Sequence, residues 1–319
     1  MKKKRQIILV AGGAGFLGSH LCKRLLTSGH EVICVDNLLT GSKNNIKNLL
    51  KNKNFSFLKF DITKPLPKRL KARAVFHLAS PASPNHHSPK SYHALSLETM
   101  LANTQGTLEL LKFAKKHGAK FLFASSSEVY GDPLQHPQDE NYFGNVSTTG
   151  PRSVYDEAKR FGETLTAHFW RNENLDARIG RIFNTYGPGL AKNDMRMAVN
   201  FINQALAGKP ITIFGQGRQT RSLCFIDDTV EALNRLMFYP NTRGEIVNIG
   251  SPRERSVLNY ARTIKKLTGS TSKIIFSEKL PQNDPLKRRP DISRAKKLLK
   301  WQPKISLENG LKQLINSFK

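Results

Sequence analysis

Short apolar runs alternate along the first half of the chain with longer stretches of helical periodicity. Six runs have strand length: Ile7 to Val10, Glu31 to Val35, Phe55 to Phe60, Val75 to Leu78, Phe121 to Ser125 and Ala177 to Phe183. The stretches between them are long enough for crossover helices, and the apolar spacing predicts helices over 98–116 and 153–170. Near-continuous apolar runs joined by crossovers are typical of a parallel sheet buried on both faces. The pattern predicts an α/β fold with a doubly wound parallel sheet.

A smaller second portion is expected after Tyr186, where glycine and proline begin to punctuate shorter elements. We predict a dinucleotide-binding Rossmann domain over residues 1–186, to which about 222–245 also returns. Residues 187–319 are predicted to form a smaller α/β substrate-binding portion that is interleaved with the first.

The chain of 319 residues carries a formal net charge of +27, and its 39% apolar content is enough for a core. The Lys and Arg residues are spread along the sequence rather than gathered into one arm, so we interpret most of them as solvated surface. A basic shell also concentrates an anionic small substrate, and no nucleic-acid partner is predicted.

Three isolated cysteines, Cys22, Cys34 and Cys224, indicate neither a disulfide framework nor a zinc site. Their pattern favours a reducing, cytoplasmic location without a bound metal. The apolar run Ile7 to Val10 is too short for a signal peptide or a membrane span, so no membrane association is expected.

A glycine-rich loop follows the first predicted strand, with Gly12, Gly15 and Gly18 in a GxxGxxG pattern. Such glycines let backbone amides approach a pyrophosphate at a helix N-terminus. Asp36 ends the second strand about 20 residues further on, where a carboxylate accepts hydrogen bonds from ribose hydroxyls and repels a 2′-phosphate. The pattern predicts NAD as the cofactor, with Asp61 and Ile62 flanking its adenine.

Tyr155 and Lys159 form a YxxxK spacing that places a phenol and an ammonium one helical turn apart. We expect the ammonium to stabilise the phenolate, so that Tyr155 acts as a base near neutral pH. The run Ser125 to Gly131 follows a strand whose carboxyl end should lie at the ligand-binding edge of the sheet.

Together these motifs resemble the extended short-chain dehydrogenase/reductase family, and above all its UDP-glucuronate decarboxylases. The resemblance covers nearly the whole chain. It rests on Gly12 to His20, Val35 to Asn37 with Thr40 and Gly41, His77 to Pro84, Ser125 to Pro133, Tyr155 to Lys159, Arg181 to Pro188, Gln219 to Arg221 and Asp284 to Ile292.

The resemblance implies oxidation of the sugar at C4 by NAD⁺, loss of CO₂ from the 4-keto intermediate, and re-reduction to UDP-xylose. The implied catalytic residues are Tyr155, Lys159, Ser126, Glu128 and Arg221. The implied cofactor residues are Gly12, Gly15, Phe16, Leu17, Gly18, Asp36, Asn37, Asp61, Ile62, Leu78, Ala79, Tyr155 and Lys159. The implied substrate residues are Pro81, Asn184, Arg221 and Arg288.

Two stretches depart from the family's usual pattern and bear on the identity of the sugar. The loop 85–93, with His86 and His87, is longer than usual, and we interpret it as a substrate-lining or mobile loop rather than a metal site. The stretch Gly189 to Lys192 is less basic at its start than is usual in the family.

Three alternatives stay open. A dTDP-glucose 4,6-dehydratase usually has an Asp where this chain has Ser127, and UDP-sugar 4-epimerases seldom have Glu at the position of Glu128. A non-catalytic dinucleotide- or RNA-binding protein would not need Tyr155 and Lys159.

The family also implies a homodimer, for which Leu110, Phe113 and Phe169 could supply apolar faces unless they are buried against their own sheet.

Overall fold

The computed structural model describes residues 5–194, 196–278 and 286–319; Asp284 and Pro285 of the family resemblance lie outside the described residues. A short 3₁₀ turn spans Ser127–Tyr130. The other elements are β1 (Ile7–Ala11), α1 (Phe16–Thr27), β2 (Glu31–Asp36), α2 (Lys43–Ile46), β3 (Phe55–Lys59), β4 (Ala74–His77), α3 (Ser96–Asn103), α4 (Gln105–His117), β5 (Lys120–Ser126), α5 (Ser153–Asn172), β6 (Ala177–Ile182), β7 (Thr185–Tyr186), α6 (Met197–Leu206), β8 (Ile211–Phe214), β9 (Thr220–Ser222), β10 (Cys224–Phe225), α7 (Ile226–Phe238), β11 (Ile246–Ile249), β12 (Glu254–Ser256), α8 (Val257–Thr268), β13 (Ile274–Glu278), α9 (Ser293–Leu299) and α10 (Leu307–Asn316).

The central sheet has seven strands in the order β11-β6-β5-β4-β1-β2-β3, and every neighbouring pair is parallel. The strand order reverses between β1 and β4, which is the topological switch point of a doubly wound sheet. The predicted fold class is confirmed. Ligands bind outside the carboxyl ends of the strands at such a point, so a ligand site is expected at the ends of β1, β2 and β4.

Strand β1 explains why the sheet is buried on both faces. Ile8 and Val10 pack into the hydrophobic core on one face, whereas Leu9 and Ala11 pack into the core on the other. Successive side chains of a strand point to opposite faces, so a strand without polar residues needs a helical layer on each side.

The helix predicted over 98–116 is wrong in one respect, because it is two helices. α3 ends at Asn103 and α4 begins at Gln105, with Thr104 between them at φ −107° and ψ −79°. The Asn103 side chain donates hydrogen bonds to Ser80 Oγ and to the Thr99 carbonyl, both at 2.8 Å. Side chains that bond nearby backbone in this way compete with regular helix geometry.

The sheet also contains a strand that the sequence pattern did not predict, β11, which pairs with β6. The other strands that follow β6 form three short two-stranded pairs: β7 with β10, β8 with β13 and β9 with β12. The proposed division into 1–186 with 222–245, and 187–319, stays a prediction.

Leu110, Phe113 and Phe169 are buried in the core of their own chain, so they supply no exposed apolar face. The alternative, burial against their own sheet, is confirmed.

In the described part of the chain, no helix combines the length and the apolar character needed to span a membrane.

Candidate active site

Two adjoining cavities lie along the carboxyl edge of the sheet. The first, of about 140 Å³, is lined by Gly12, Asp36 and Asp61 and is called here the Asp36 cavity. The second, of about 150 Å³, is lined by Ser126, Glu128, Tyr155 and Lys159 and is called the Tyr155 cavity. Leu78 and Ser80 line both, so the two cavities form one continuous cleft at the switch point of the sheet.

The glycine loop packs its backbone closely against the chain after β4 and against the first turn of α1, which residues without a side chain allow. Gly12 has a φ of +78°, and a Cβ at this position would lie 2.6 Å from the Ala79 nitrogen. A Cβ on Gly18 would lie 2.0 Å from the Gly12 carbonyl oxygen. α1 starts directly after Gly15 without a side-chain cap, so its first amides are available to an anion. This cradle fits a dinucleotide pyrophosphate.

Asp36 ends β2 with its carboxylate already oriented by the backbone. Ala14 N donates to one oxygen at 3.0 Å and Leu38 N donates to the other at 2.8 Å. Burial raises the pKa of Asp36, and the two backbone hydrogen bonds oppose that shift. Each carboxylate oxygen keeps a further lone pair, so the side chain fits the paired hydroxyls of a ribose.

We expect Asp36→Asn to weaken NAD binding about tenfold and to reduce discrimination against NADP, because the amide offers one acceptor and carries no charge to repel a 2′-phosphate. Calorimetric titration with each dinucleotide measures both effects. Asp132→Asn, an exposed change outside the cleft, is the control. An unchanged NAD affinity together with undiminished exclusion of NADP would contradict the assigned ribose contact.

Most of the predicted cofactor residues lie along this cleft. The Asp36 cavity is lined by Gly12, Gly15, Asp36, Asn37, Asp61, Ile62, Leu78, Ala79 and also Pro81, which the family resemblance assigned to the substrate. Phe16 and Leu17, at the start of α1, line the Tyr155 cavity instead. Gly18 lies behind the loop, where it allows the close approach of α1 to Gly12.

Tyr155 and Lys159 both line the Tyr155 cavity from α5. Lys159 Nζ donates to the Ala124 carbonyl at 2.7 Å and lies 5.6 Å from the centre of the Tyr155 ring. Burial raises the pKa of Tyr155, although the hydrogen bond with Ser126 and the charge of Arg196 oppose the shift. Burial also lowers the pKa of Lys159 to about 7. The expected fall in the pKa of the phenol is therefore not found, because desolvation and the charges of Glu128 and Asp156 outweigh the charge of Arg196 and the hydrogen bond with Ser126.

Glu128 lies in the 3₁₀ turn after β5 and forms ion pairs with two guanidiniums. Arg152 contacts one carboxylate oxygen and Arg288 contacts the other. Burial alone would raise the pKa of Glu128, but the two arginines lower it to about 2. The carboxylate is therefore ionised at neutral pH, and it is fixed at the wall of the cavity that holds Tyr155.

Besides Gly18, two predicted residues, Arg288 and Arg221, are not on the lining of the cleft. Arg288 is 3% exposed, and besides Glu128 it donates to the Gly131 carbonyl at 3.0 Å. Arg221, in β9, donates to the Thr220 carbonyl at 2.8 Å. The structure thus brings Arg288 to Glu128, while Asn184, the remaining predicted substrate residue, does line the Tyr155 cavity.

Sequence reasoning missed two residues of the Tyr155 cavity, Arg196 and Tyr92. Arg196 precedes α6 and pairs with Asp194, one N–H of its guanidinium donating to Asp194 Oδ2 at 2.8 Å. Tyr92 lies in the long loop that departs from the family pattern and stacks on Tyr155 with ring centres 4.9 Å apart. The only sequence signal for Tyr92 was the loop's unusual length.

Comparison with solved structures supports this reading of the fold and cleft. The Bacillus cereus UDP-glucuronic acid 4-epimerase, solved with UDP-glucuronic acid and NAD, aligns with a TM-score of 0.84, 30% identity and 98% coverage of both chains. An epimerase from Methanothermobacter thermautotrophicus aligns with a TM-score of 0.87 and 28% identity, covering 99% of this chain and 92% of that one.

Sequence comparison gives matches that cover the whole of the given chain. The Xenopus tropicalis UDP-glucuronic acid decarboxylase 1 is 44% identical over 318 residues, covering 100% of this chain and 73% of the relative. The Arabidopsis thaliana UDP-glucuronic acid decarboxylase 4 is 45% identical over 322 residues, covering 100% and 70%. The profile of the NAD dependent epimerase/dehydratase family matches residues 8–250. The cofactor prediction, NAD, is thereby confirmed, and the chain belongs to the NAD dependent epimerase/dehydratase family, within which it groups with the UDP-glucuronic acid decarboxylases.

Proposed function

We propose that this protein decarboxylates UDP-glucuronate to UDP-xylose. The observation that carries the proposal is the Tyr155 cavity, which lies beside the dinucleotide cradle. One lining brings together four predicted catalytic residues: Tyr155, Lys159, Ser126 and Glu128. The full-length similarity to proteins named UDP-glucuronic acid decarboxylases supports it.

When bound in the cleft, NAD⁺ supplies a hydride acceptor and a positively charged ring. Tyr155 takes the proton of the sugar C4 hydroxyl as that carbon is oxidised to a ketone. The C5 carboxylate is then β to the ketone, so the C5–C6 bond breaks, CO₂ leaves, and the electron pair passes into an enolate. The hydroxyls of Tyr155 and Ser126 donate hydrogen bonds to the enolate oxygen, and protonation at C5 by water gives a 4-keto pentose. Its C4 ketone is then reduced to the hydroxyl of UDP-xylose, with the proton returned by Tyr155 and the hydride supplied by the reduced cofactor.

The other residues bind and orient in this proposal. Glu128 is held ionised by two arginines, so it acts as an acceptor that orients water or sugar rather than as a proton donor. Arg196 supplies a guanidinium to the anionic substrate inside the Tyr155 cavity. Asn184, Pro81, Arg221 and Arg288 stay assigned to substrate binding, Arg288 through its contact with Glu128.

Incubation with UDP-glucuronate and NAD⁺, followed by mass analysis, tests the proposed reaction. We expect a UDP-pentose that is lighter than the substrate by one CO₂, without net formation of NADH, because the cofactor is regenerated. A 4-epimerase would return an isomer of unchanged mass, and the structural similarity to a UDP-glucuronic acid 4-epimerase makes that the outcome to exclude. An isomer, or an unaltered substrate, would contradict the proposal.

We also propose that the protein is a cytoplasmic homodimer. Three buried, unpaired cysteines, Cys22, Cys34 and Cys224, fit a reducing compartment. Exposed apolar side chains on α3 and α5, Leu97, Met100 and Phe161, offer surface for a second copy of the chain.

A further inference from the structure

The loop between β4 and α3 folds back on its own start, which fixes the position of Tyr92. Ser83 and Ser91 form a backbone bridge, and Tyr92 N donates to the Ser83 carbonyl at 3.0 Å. Ser91 is fully buried, and Ala94 N donates to its hydroxyl at 3.1 Å. Tyr92 is therefore held by backbone contacts on both sides of the loop, not by its own hydroxyl.

Four rings contact one another in series from this loop to Tyr155. His86 lies on His93 with ring centres 3.9 Å apart, His93 contacts Tyr92 at 4.4 Å, and Tyr92 lies on Tyr155 at 4.9 Å with the planes 16° apart. The near-parallel stack fixes the plane of the Tyr92 ring as well as its depth in the cavity.

The Tyr92 hydroxyl is an exception to the way buried polar groups are satisfied. The side chain is 1% exposed, and among the described residues its oxygen has no hydrogen-bond partner. Two of the neighbouring groups that shift its pKa, Glu128 and Tyr155, line the same cavity. A buried hydroxyl without a partner destabilises the fold unless a bound molecule satisfies it.

We propose that Tyr92 is a sugar-binding residue, whose hydroxyl donates a hydrogen bond to an oxygen of the hexose unit of the UDP-sugar. It lines the Tyr155 cavity with Glu128 and is absent from the lining of the Asp36 cavity, so its contact is with the reacting sugar and not with the adenosine half of the cofactor. This inference rests on the proposed function for the nature of the sugar nucleotide. The long loop would then contribute directly to sugar recognition.

Tyr92→Phe tests the proposal because it keeps the ring stack and removes only the hydroxyl. In protein saturated with NADH, which cannot oxidise the sugar, we expect the Kd for UDP-glucuronate to rise about tenfold while the Kd for UDP stays unchanged. We also expect the melting temperature not to fall, since the lost hydroxyl has no partner in the fold. Calorimetric titration and thermal unfolding give these readouts without measuring turnover.

Tyr186→Phe is the matched control. Tyr186 is also buried, but its hydroxyl donates to the Leu307 carbonyl at 3.2 Å, away from the cavity. This variant should melt at a lower temperature and bind UDP-glucuronate as the unaltered protein does.

Equal affinities of the Tyr92→Phe variant and the unaltered protein for UDP-glucuronate would overturn the inference, as would an equal loss of UDP affinity. A lowered melting temperature would also overturn it, by showing that the hydroxyl has a structural partner. The proposed decarboxylation fails separately, if the unaltered protein binds UDP-glucuronate with the help of Tyr92 but releases no pentose.

Discussion

Replacing Tyr155 by phenylalanine is expected to lower kcat about a thousandfold, because it removes the group that accepts the C4 hydroxyl proton and leaves the cavity otherwise intact. The ring keeps its stacking contact with Tyr92, so the cavity wall stays in place. The hydroxyl that is lost contacts Ser126. Binding of NAD, which keeps its predicted contacts with Asp36 and the glycine loop, and binding of UDP should each change less than about threefold.

Product formation by mass analysis gives kcat for the Tyr155→Phe variant, and calorimetry gives both affinities. Tyr239→Phe, at the end of α7 and outside the cleft, is the control that should keep full activity. A Tyr155→Phe variant that retained more than about a tenth of the activity would show that another group takes the proton.

The parallel sheet could be predicted from sequence because its strands are encoded locally. β1, for example, is five consecutive residues without a charged side chain, and such a run needs cover on both faces wherever it lies. The break at Thr104 could not be predicted in the same way. It accompanies a hydrogen bond from Asn103 to Ser80, a residue whose proximity to the helix cannot be inferred from sequence periodicity.

The cofactor end of the site was also predictable, because the glycine loop and Asp36 belong to one short unit of strand, turn, helix and strand. The ion pairs around Glu128 could not be predicted from the sequence. Its two arginines come from positions 24 and 160 residues away, and only the folded chain brings them to one carboxylate. Arg196 and Tyr92 were missed for a related reason, since each lies in a connection whose course depends on tertiary contacts.

The two distant arginines determine the protonation state of Glu128. The family resemblance implied a catalytic role for Glu128, but the sequence carried no information on its protonation state. The pairing with Arg152 and Arg288 decides that state and couples the 3₁₀ turn to α5 and to the C-terminal segment. Any change at Glu128 should therefore affect stability as well as activity.

We expect Glu128→Gln to lower the free energy of unfolding at pH 7 by about 3 kcal/mol, since the neutral amide leaves two buried guanidiniums without their counter-charge. Arg288 is 3% exposed and the Glu128 side chain 14%, so water compensates the loss poorly. The folded-state pKa of Glu128, about 2, lies below its ordinary value of 4.5. A depressed pKa of this kind stabilises the fold above about pH 4.5 and loses that contribution as the pH falls towards 2.

The stability curves of the unaltered protein and the Glu128→Gln variant should therefore lie apart at pH 7 and approach each other as the pH falls from about 4.5 to about 2. Urea unfolding at a series of pH values measures both curves. Glu157→Gln is the matched control, because Glu157 makes an ion pair with Arg160 on the same helix in which both side chains are more than a third exposed. Such a surface pair contributes less than about 1 kcal/mol. If the two variants lost equal stability at pH 7, the buried pairing of Glu128 would not stabilise the fold as its geometry requires.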